Sequence, residues 1–201
     1  AVGTRLQDFT TGSNSLFAQA QLLSLNVNSF DALKRRGMGL QADATLGLQG
    51  LSQRLAHWNS TGQWLDRAQQ AGNAWRDTVL AITGKREVAG LPYDGEVIGA
   101  VQRSSSDSTT RDIVVCAAGT LPAELHKLWR TSTPGGYHME YGYSCMGYEI
   151  AGGLGVKMAK PDAEVIVMVG DGSYLMMNSE IATSVMLDKK LIIVVLDNRG
   201  Y

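Results

Sequence analysis

Two apolar runs, each closed by polar residues and separated by a helix-length segment, constrain the fold of this chain more than any other feature. Residues 165–169 and residues 191–196 are predicted as buried strands, and residues 174–187 have the length and composition of a crossover helix. A strand, helix and strand in one sheet connect with a right-handed crossover, so both strands run parallel and end at the same edge. The sequence therefore predicts an α/β fold with a doubly wound parallel sheet.

Polar residues follow both predicted strands. Gly170-Asp171-Gly172-Ser173 closes the first and Asp197-Asn198 closes the second, which brings Asp171 and Asn198, 27 positions apart, to the edge where open α/β sheets bind ligands. A carboxylate and an amide oxygen suit a hard cation such as magnesium or calcium. Gly172 lets the backbone approach a phosphate, and Ser173 is predicted to cap a helix whose N-terminus attracts anions. The interpretation is a metal-bridged diphosphate site; the alternative is two unrelated polar turns.

This motif resembles the thiamine-diphosphate-binding motif of enzymes such as acetolactate synthase and pyruvate oxidase. The motif usually ends in Asn-Asn, whereas this chain has Asp197-Asn198, which keeps the metal-binding position. The resemblance implies thiamine diphosphate and Mg²⁺ as cofactors. It implies that the metal ligands are Asp171, Asn198 and the main-chain carbonyl of Gly200, and that Gly172 and Ser173 contact the diphosphate.

A second block, residues 142–148, is similar to the glycine-rich turn that ends in Met-Gly-aromatic in the same family. The resemblance implies that the Met146 side chain lies between the two rings of the cofactor, with the backbone of Ser144 and Met146 facing the pyrimidine. The alternative is that Met146 fills the core, since methionine packs well into irregular gaps. A diphosphate-contacting loop is expected at Gly119 and Thr120, although the chain departs there from the family's usual Gly-Gln-His.

Residues 2–13 and 137–150 further resemble one branch of the family, which opens a cyclic 1,2-dione by C–C bond hydrolysis in myo-inositol catabolism. The resemblance implies a small-molecule substrate and a homodimer or homotetramer. Two alternatives remain open: an acetolactate-synthase-like carboligase or decarboxylase of 2-oxo acids, and a non-catalytic module that binds Mg²⁺ and diphosphate.

The candidate catalytic side chain within the chain is His138, which lies between a Pro-Gly-Gly segment and the Met146 turn. The alternative is a loop histidine that orders a neighbouring tyrosine. The glutamate that activates the cofactor in the family is expected to lie outside these 201 residues.

Length indicates that the chain is a fragment, because the resembling enzymes have three domains of ordinary size. We predict that residues 1–58 are the C-terminal part of a nucleotide-fold middle domain. The sequence leaves open whether this domain binds a nucleotide. Residues 59–92 are predicted as a helical connecting segment, and residues 93–201 as the truncated N-terminal part of the diphosphate- and metal-binding domain. The fragment alone is expected to be inactive.

Composition excludes several partners. The net charge is −1, and neither a long basic run nor a membrane-length apolar stretch is present, so neither nucleic acid nor a membrane is predicted. Cys116 and Cys145 are predicted as buried free thiols, which fits a cytoplasmic protein. A stripe of apolar residues after Ser60, including Trp64 and Trp75, predicts a helix that packs on a core.

Overall fold

The computed structural model describes residues 1–35, 37–86, 90–106, 112–131 and 133–199. Within it the chain divides into two compact units, Ala1–Asp66 and Arg67–Tyr201. The division falls inside a long helix that begins at Gly62. The three-part division predicted from the sequence stays a prediction.

The first unit is built on a pair of parallel strands, β1 (Leu23–Asn26) and β2 (Met38–Gln41). The helices of this unit are α1 (Asp8–Thr11), α2 (Ser29–Leu33) and α3 (Ala44–Arg54). Asp43 caps α3 as its residue type predicts, because its side chain accepts hydrogen bonds from the amides of Thr45 and Leu46.

The second unit contains a four-stranded parallel sheet with the order β4-β3-β5-β6. Its strands are β3 (Ile113–Cys116), β4 (Tyr137–Met139), β5 (Val165–Gly170) and β6 (Ile192–Leu196). The chain places β4 on one side of β3 and then β5 on the other. The strand order therefore reverses between β3 and β5, and a crevice forms at such a switch point in open α/β sheets.

Helices cover both faces of this sheet. They are α4 (Gly62–Thr83), α5 (Asp94–Ser106), α6 (Thr120–Leu128), α7 (Tyr148–Ala159), α8 (Asp171–Met177) and α9 (Ser179–Met186). Side chains of alternate strand residues point to opposite faces, so Ile166 and Met168 pack with α5 and α6 while Val167 and Val169 pack with α7. The predicted doubly wound α/β fold is confirmed.

Glycine permits the close packing of α7 on the sheet. A Cβ atom at Gly153 would lie 2.4 Å from Cγ2 of Val167 on β5, a separation that no real side chain adopts. Gly153, buried in the middle of α7, therefore allows this helix to lie close to the central strand.

Several local predictions were wrong. β6 is only partly buried, because it forms an edge of the described sheet. The crossover between β5 and β6 is two short helices that divide at Asn178. The helix with the tryptophan stripe exists, but Trp64 and Trp75 are exposed. Of the two cysteines predicted to be buried, Cys116 is buried and Cys145 is exposed. In the described ranges, no helix combines the length and the apolar character that crossing a bilayer requires.

Candidate cofactor-binding site

The site lies at the carboxyl ends of β3, β5 and β6. Gly170 and Leu196 are register partners in β5 and β6, so the residues after each strand emerge side by side from the same edge of the sheet. Asp171 and Asn198 both line the cleft at this edge, as predicted from their spacing.

The cleft has a volume of about 210 Å³ and brings together most of the residues selected from the sequence. Of those residues, the lining includes Gly119, Thr120, Met146, Asp171, Gly172, Ser173 and Asn198. They come from three strand ends and from the turn before α7, and they are separated in sequence by up to 79 positions between Gly119 and Asn198. Ser144 is an exposed residue with a positive φ of 55° in the turn before Met146, and Gly200 lies outside the described residues.

Asp197, the departure from the usual motif, has a structural role in the turn after β6. Its Oδ1 accepts a hydrogen bond from the amide of Arg199 at 2.8 Å, which is an Asx turn, and Arg199 has a left-handed φ of 65°. The carboxyl group of Asp197 therefore shapes the loop, while Asn198 lines the cleft.

The turn that carries Met146 is held by the carboxylate of Glu140. One oxygen accepts a hydrogen bond from the amide of Tyr143 at 2.9 Å, and the other accepts from the amide of Cys145 at 2.8 Å. These backbone hydrogen bonds lower the pKa of Glu140 below its usual 4.5, because they favour the charged form. Met146 is half-buried at the end of this turn.

A buried polar cluster connects the Met146 turn to the start of α8. The side chain of Glu149 is fully buried, and Oγ of Ser173 donates to it, with separations of 2.9 and 3.0 Å from its two oxygens. The amide of Gly147 lies 2.7 Å from Oγ of Ser173 and 3.0 Å from Oε2 of Glu149, and donates to both. The predicted capping role of Ser173 is wrong: α8 begins after Gly170, and Ser173 lies within its first turn.

His138 does not line the cofactor cleft. It lies on β4 rather than in a loop, and its Nε2 is 2.7 Å from Oη of Tyr148, with the two rings stacked. It lines a separate cavity of about 620 Å³ beside the small residues of α7, including Ala151 and Gly155. A catalytic role for His138 stays a prediction.

The buried thiol near the site is a packing group. Sγ of Cys116 donates to Oη of Tyr137 at 3.2 Å, and burial raises the pKa of the thiol to about 11. A thiol with such a pKa is protonated at neutral pH and is a poor nucleophile.

Sequence reasoning missed two acidic residues. Asp94, at the start of α5, also lines the cleft, and Glu149 connects its two sides. Both occupy first turns of helices, where acidic residues are common, so the pattern itself gave no sign of a role at the site. The described residues contain no group of three or more His, Cys, Asp and Glu side chains that could hold a metal. A cation here would instead need amide, main-chain or phosphate oxygens beside Asp171.

Comparison with known proteins shows a similarity that agrees with the motif. Residues 117–201 match the family model described as thiamine pyrophosphate enzyme, C-terminal TPP binding domain. These residues are thus similar to the TPP-binding domain of thiamine pyrophosphate enzymes. Thiamine pyrophosphate (TPP) is another name for thiamine diphosphate, the cofactor that the motif implies. The matched range begins directly after β3 and contains the carboxyl ends of β5 and β6, so it includes the segments that form the cleft.

Curated relatives match along the whole chain. The chain is 41% identical to a 3D-(3,5/4)-trihydroxycyclohexane-1,2-dione hydrolase of Geobacillus thermodenitrificans. The whole chain aligns with 34% of the length of that protein. It is 38% identical to the enzyme of the same name from Clostridium perfringens, of which it covers 35%. A protein of that name from Clostridium tetani is 37% identical, with 34% covered. The chain thus spans about a third of the length of the curated relatives it matches.

Proposed function

We propose that the chain is part of a TPP- and Mg²⁺-dependent hydrolase that opens a cyclic 1,2-dione by cleaving a C–C bond. The observation that carries the proposal is the convergence of Asp171, Asn198 and Gly119 on one cleft at the switch point of a TPP-domain sheet. The names of the relatives support the choice of substrate, because each is a trihydroxycyclohexanedione hydrolase.

The residues at the cleft fit the diphosphate end of the cofactor. Asp171 offers carboxyl oxygens and Asn198 an amide oxygen, the ligand types that Mg²⁺ takes together with phosphate oxygens. Gly119 and Gly170 line the same cleft, and a Cβ atom added to either would meet no other heavy atom within 4 Å. Space for a ligand is therefore available directly against the backbone.

Each group has a distinct proposed role. Asp171, Asn198 and the carbonyl of Gly200 hold the cation, and the backbone around Gly119, Thr120, Gly172 and Ser173 contacts the diphosphate. Met146, half-buried at the cleft, orients the cofactor rings, with backbone atoms of Ser144 and Met146 beside them. When bound, TPP supplies the carbon nucleophile and the electron sink for C–C cleavage, whereas the protein binds and orients it.

Two experiments test the proposal, first cofactor binding and then substrate turnover. We expect the complete protein to bind TPP in a Mg²⁺-dependent manner by calorimetry, and then to hydrolyse the cyclic dione but not to decarboxylate or condense pyruvate. Turnover of pyruvate without turnover of the dione would support an acetolactate-synthase-like enzyme instead. Binding of Mg²⁺ and diphosphate without turnover of either compound would support a non-catalytic module.

The assembly and location belong to the same proposal. A homodimer or homotetramer is proposed because TPP-enzyme active sites lie between subunits, and light scattering on the complete protein measures the state. A cytoplasmic location is proposed because Cys116 and Cys145 are both unpaired thiols, which suits a reducing compartment.

A further inference from the structure

Glu149 is a fully buried acidic residue next to the cofactor cleft, and the proposed chemistry does not use it. Burying a carboxyl group is costly unless hydrogen bonds replace the water that it loses. Here the partners are specific, because the Ser173 hydroxyl lies within 3.0 Å of both carboxyl oxygens and the Gly147 amide lies 3.0 Å from one of them. A buried acid in such a place requires an explanation beyond filling space.

The partners of Glu149 belong to the two halves of the proposed site. Gly147 directly follows Met146, and Ser173 lies two residues after Asp171. The three groups also contact one another, since the Gly147 amide donates to the Ser173 hydroxyl at 2.7 Å. This cluster is thus a direct link between the turn at the ring end of the cleft and the turn at its diphosphate end.

Backbone geometry makes the link rigid on the Met146 side. Gly147 has a φ of 90°, and a Cβ atom there would lie 2.6 Å from Cγ of Met177 in α8. The start of α7 therefore packs closely against the C-terminal end of α8, so the orientation of the Met146 turn depends on where α8 lies.

We propose that Glu149 is a positioning residue that holds the Met146 turn in register with the Gly170–Ser173 turn, so that one cofactor molecule contacts both. This inference rests on the proposed function of the cleft. Glu149 acts through Ser173 and Gly147 and touches neither cofactor nor substrate. Its loss separates the two halves of the site without removing any group that contacts the metal or the diphosphate.

Two substitutions separate positioning from packing. Glu149→Gln keeps the volume and one oxygen acceptor for the Ser173 hydroxyl. Glu149→Leu leaves that hydroxyl without its acceptor and removes one of the two acceptors of the Gly147 amide. A matched control is Leu154→Ala, which weakens the packing of the same helix, because Leu154 is 6% exposed and lies away from the cluster. The complete protein is titrated by calorimetry with Mg²⁺–TPP and, separately, with Mg²⁺ and inorganic diphosphate.

The Leu variant is expected to bind Mg²⁺–TPP about 10- to 100-fold more weakly, the range that follows from leaving buried hydrogen-bonding groups unpaired. Its affinity for inorganic diphosphate is expected to fall much less, because that probe needs only one half of the site. Glu149→Gln is expected to restore most of the TPP affinity. Leu154→Ala is expected to lower the melting temperature and to keep both affinities.

Exchange of the Gly147 amide with solvent, measured on the cofactor-free protein, gives a second readout. We expect faster exchange in Glu149→Leu than in wild type, and an intermediate rate in Glu149→Gln. Unchanged TPP affinity in both variants, or equal losses for TPP and inorganic diphosphate, would overturn the positioning role alone. A wild-type protein that binds no TPP would overturn the proposed function, and this role with it.

Discussion

Gly170 and Leu196 are partners across adjacent parallel strands, and this pairing determines where the polar residues after them emerge. Asp171 follows directly and Asn198 follows after one residue, so both reach the cleft at the carboxyl edge of the sheet. The distance in sequence is bridged by α8 and α9. A right-handed crossover is thus sufficient to bring the two proposed metal ligands together.

The central strand is expected to carry much of the stability of the second unit. Met168→Ala removes a fully buried side chain from the core formed with α5 and α6, so it is expected to lower the free energy of unfolding by about 2–5 kcal/mol. Met186→Ala is the matched control, because Met186 is 85% exposed and its loss is expected to change stability by less than about 0.5 kcal/mol. Denaturant unfolding measures both. Equal effects would contradict the assignment of β5 to the core.

The glycine before α7 is expected to tolerate no side chain. Gly147→Ala forces a left-handed φ on alanine, which costs about 1–2 kcal/mol, and also places a Cβ atom against Met177. Gly155→Ala is the control, because Gly155 lies within α7 and a Cβ atom added there would meet no other atom. This substitution is expected to leave the stability unchanged or to raise it. Thermal unfolding distinguishes the two, and a stable Gly147→Ala variant would show that the turn differs from the one described.

Acid is expected to loosen the Met146 turn through Glu140. The folded-state pKa of Glu140 is lowered by the amides of Tyr143 and Cys145, so its contribution to stability is present above the unfolded pKa. That contribution is lost as the pH falls through the folded-state pKa. Protection of the Tyr143 and Cys145 amides against hydrogen exchange is therefore expected to decrease with acidification. Glu140→Gln is expected to abolish this dependence, and a turn whose protection is insensitive to pH in the wild type would contradict it.

His138 is predicted to affect turnover rather than cofactor affinity. Since it lines a different cavity from Asp171, His138→Asn is expected to keep the dissociation constant of TPP. If it acts as an acid or base, kcat for the dione falls by about 100-fold or more. Tyr148→Phe is the control, because it removes only the partner at 2.7 Å. Unchanged kcat in His138→Asn would rule out the catalytic role and leave the structural pairing with Tyr148.

The sequence was most informative where apolar runs end in polar residues. The predicted bounds of β5 and β6 each differ from the observed bounds by one residue, because continuous Val, Ile and Leu runs are typical of parallel strands. The grouping of Gly119, Met146, Asp171 and Asn198 came from the resemblance to TPP enzymes combined with the rule that parallel strands share an edge.

Other features depend on contacts that no local pattern reveals. β4 has three half-buried residues, Tyr137–Met139, which are too few to show a period, so the sequence does not predict a strand there. The burial of Glu149 depends on Ser173, 24 positions away, and in sequence the residue resembles any acidic group in the first turn of a helix. The exposure of Trp64 and Trp75 was missed because an apolar stripe indicates a face that packs, not what packs on it.

Binding of TPP to the complete protein, with and without Mg²⁺, tests the central claim most directly when wild type is compared with Asp171→Ala. The account predicts binding that needs Mg²⁺ in the wild type and is weakened at least about tenfold in the variant, since one metal ligand is lost. The variant is expected to unfold at nearly the wild-type temperature. Equal, metal-independent affinity in both proteins would contradict the claim that Asp171 and Asn198 hold one cation at the end of the sheet.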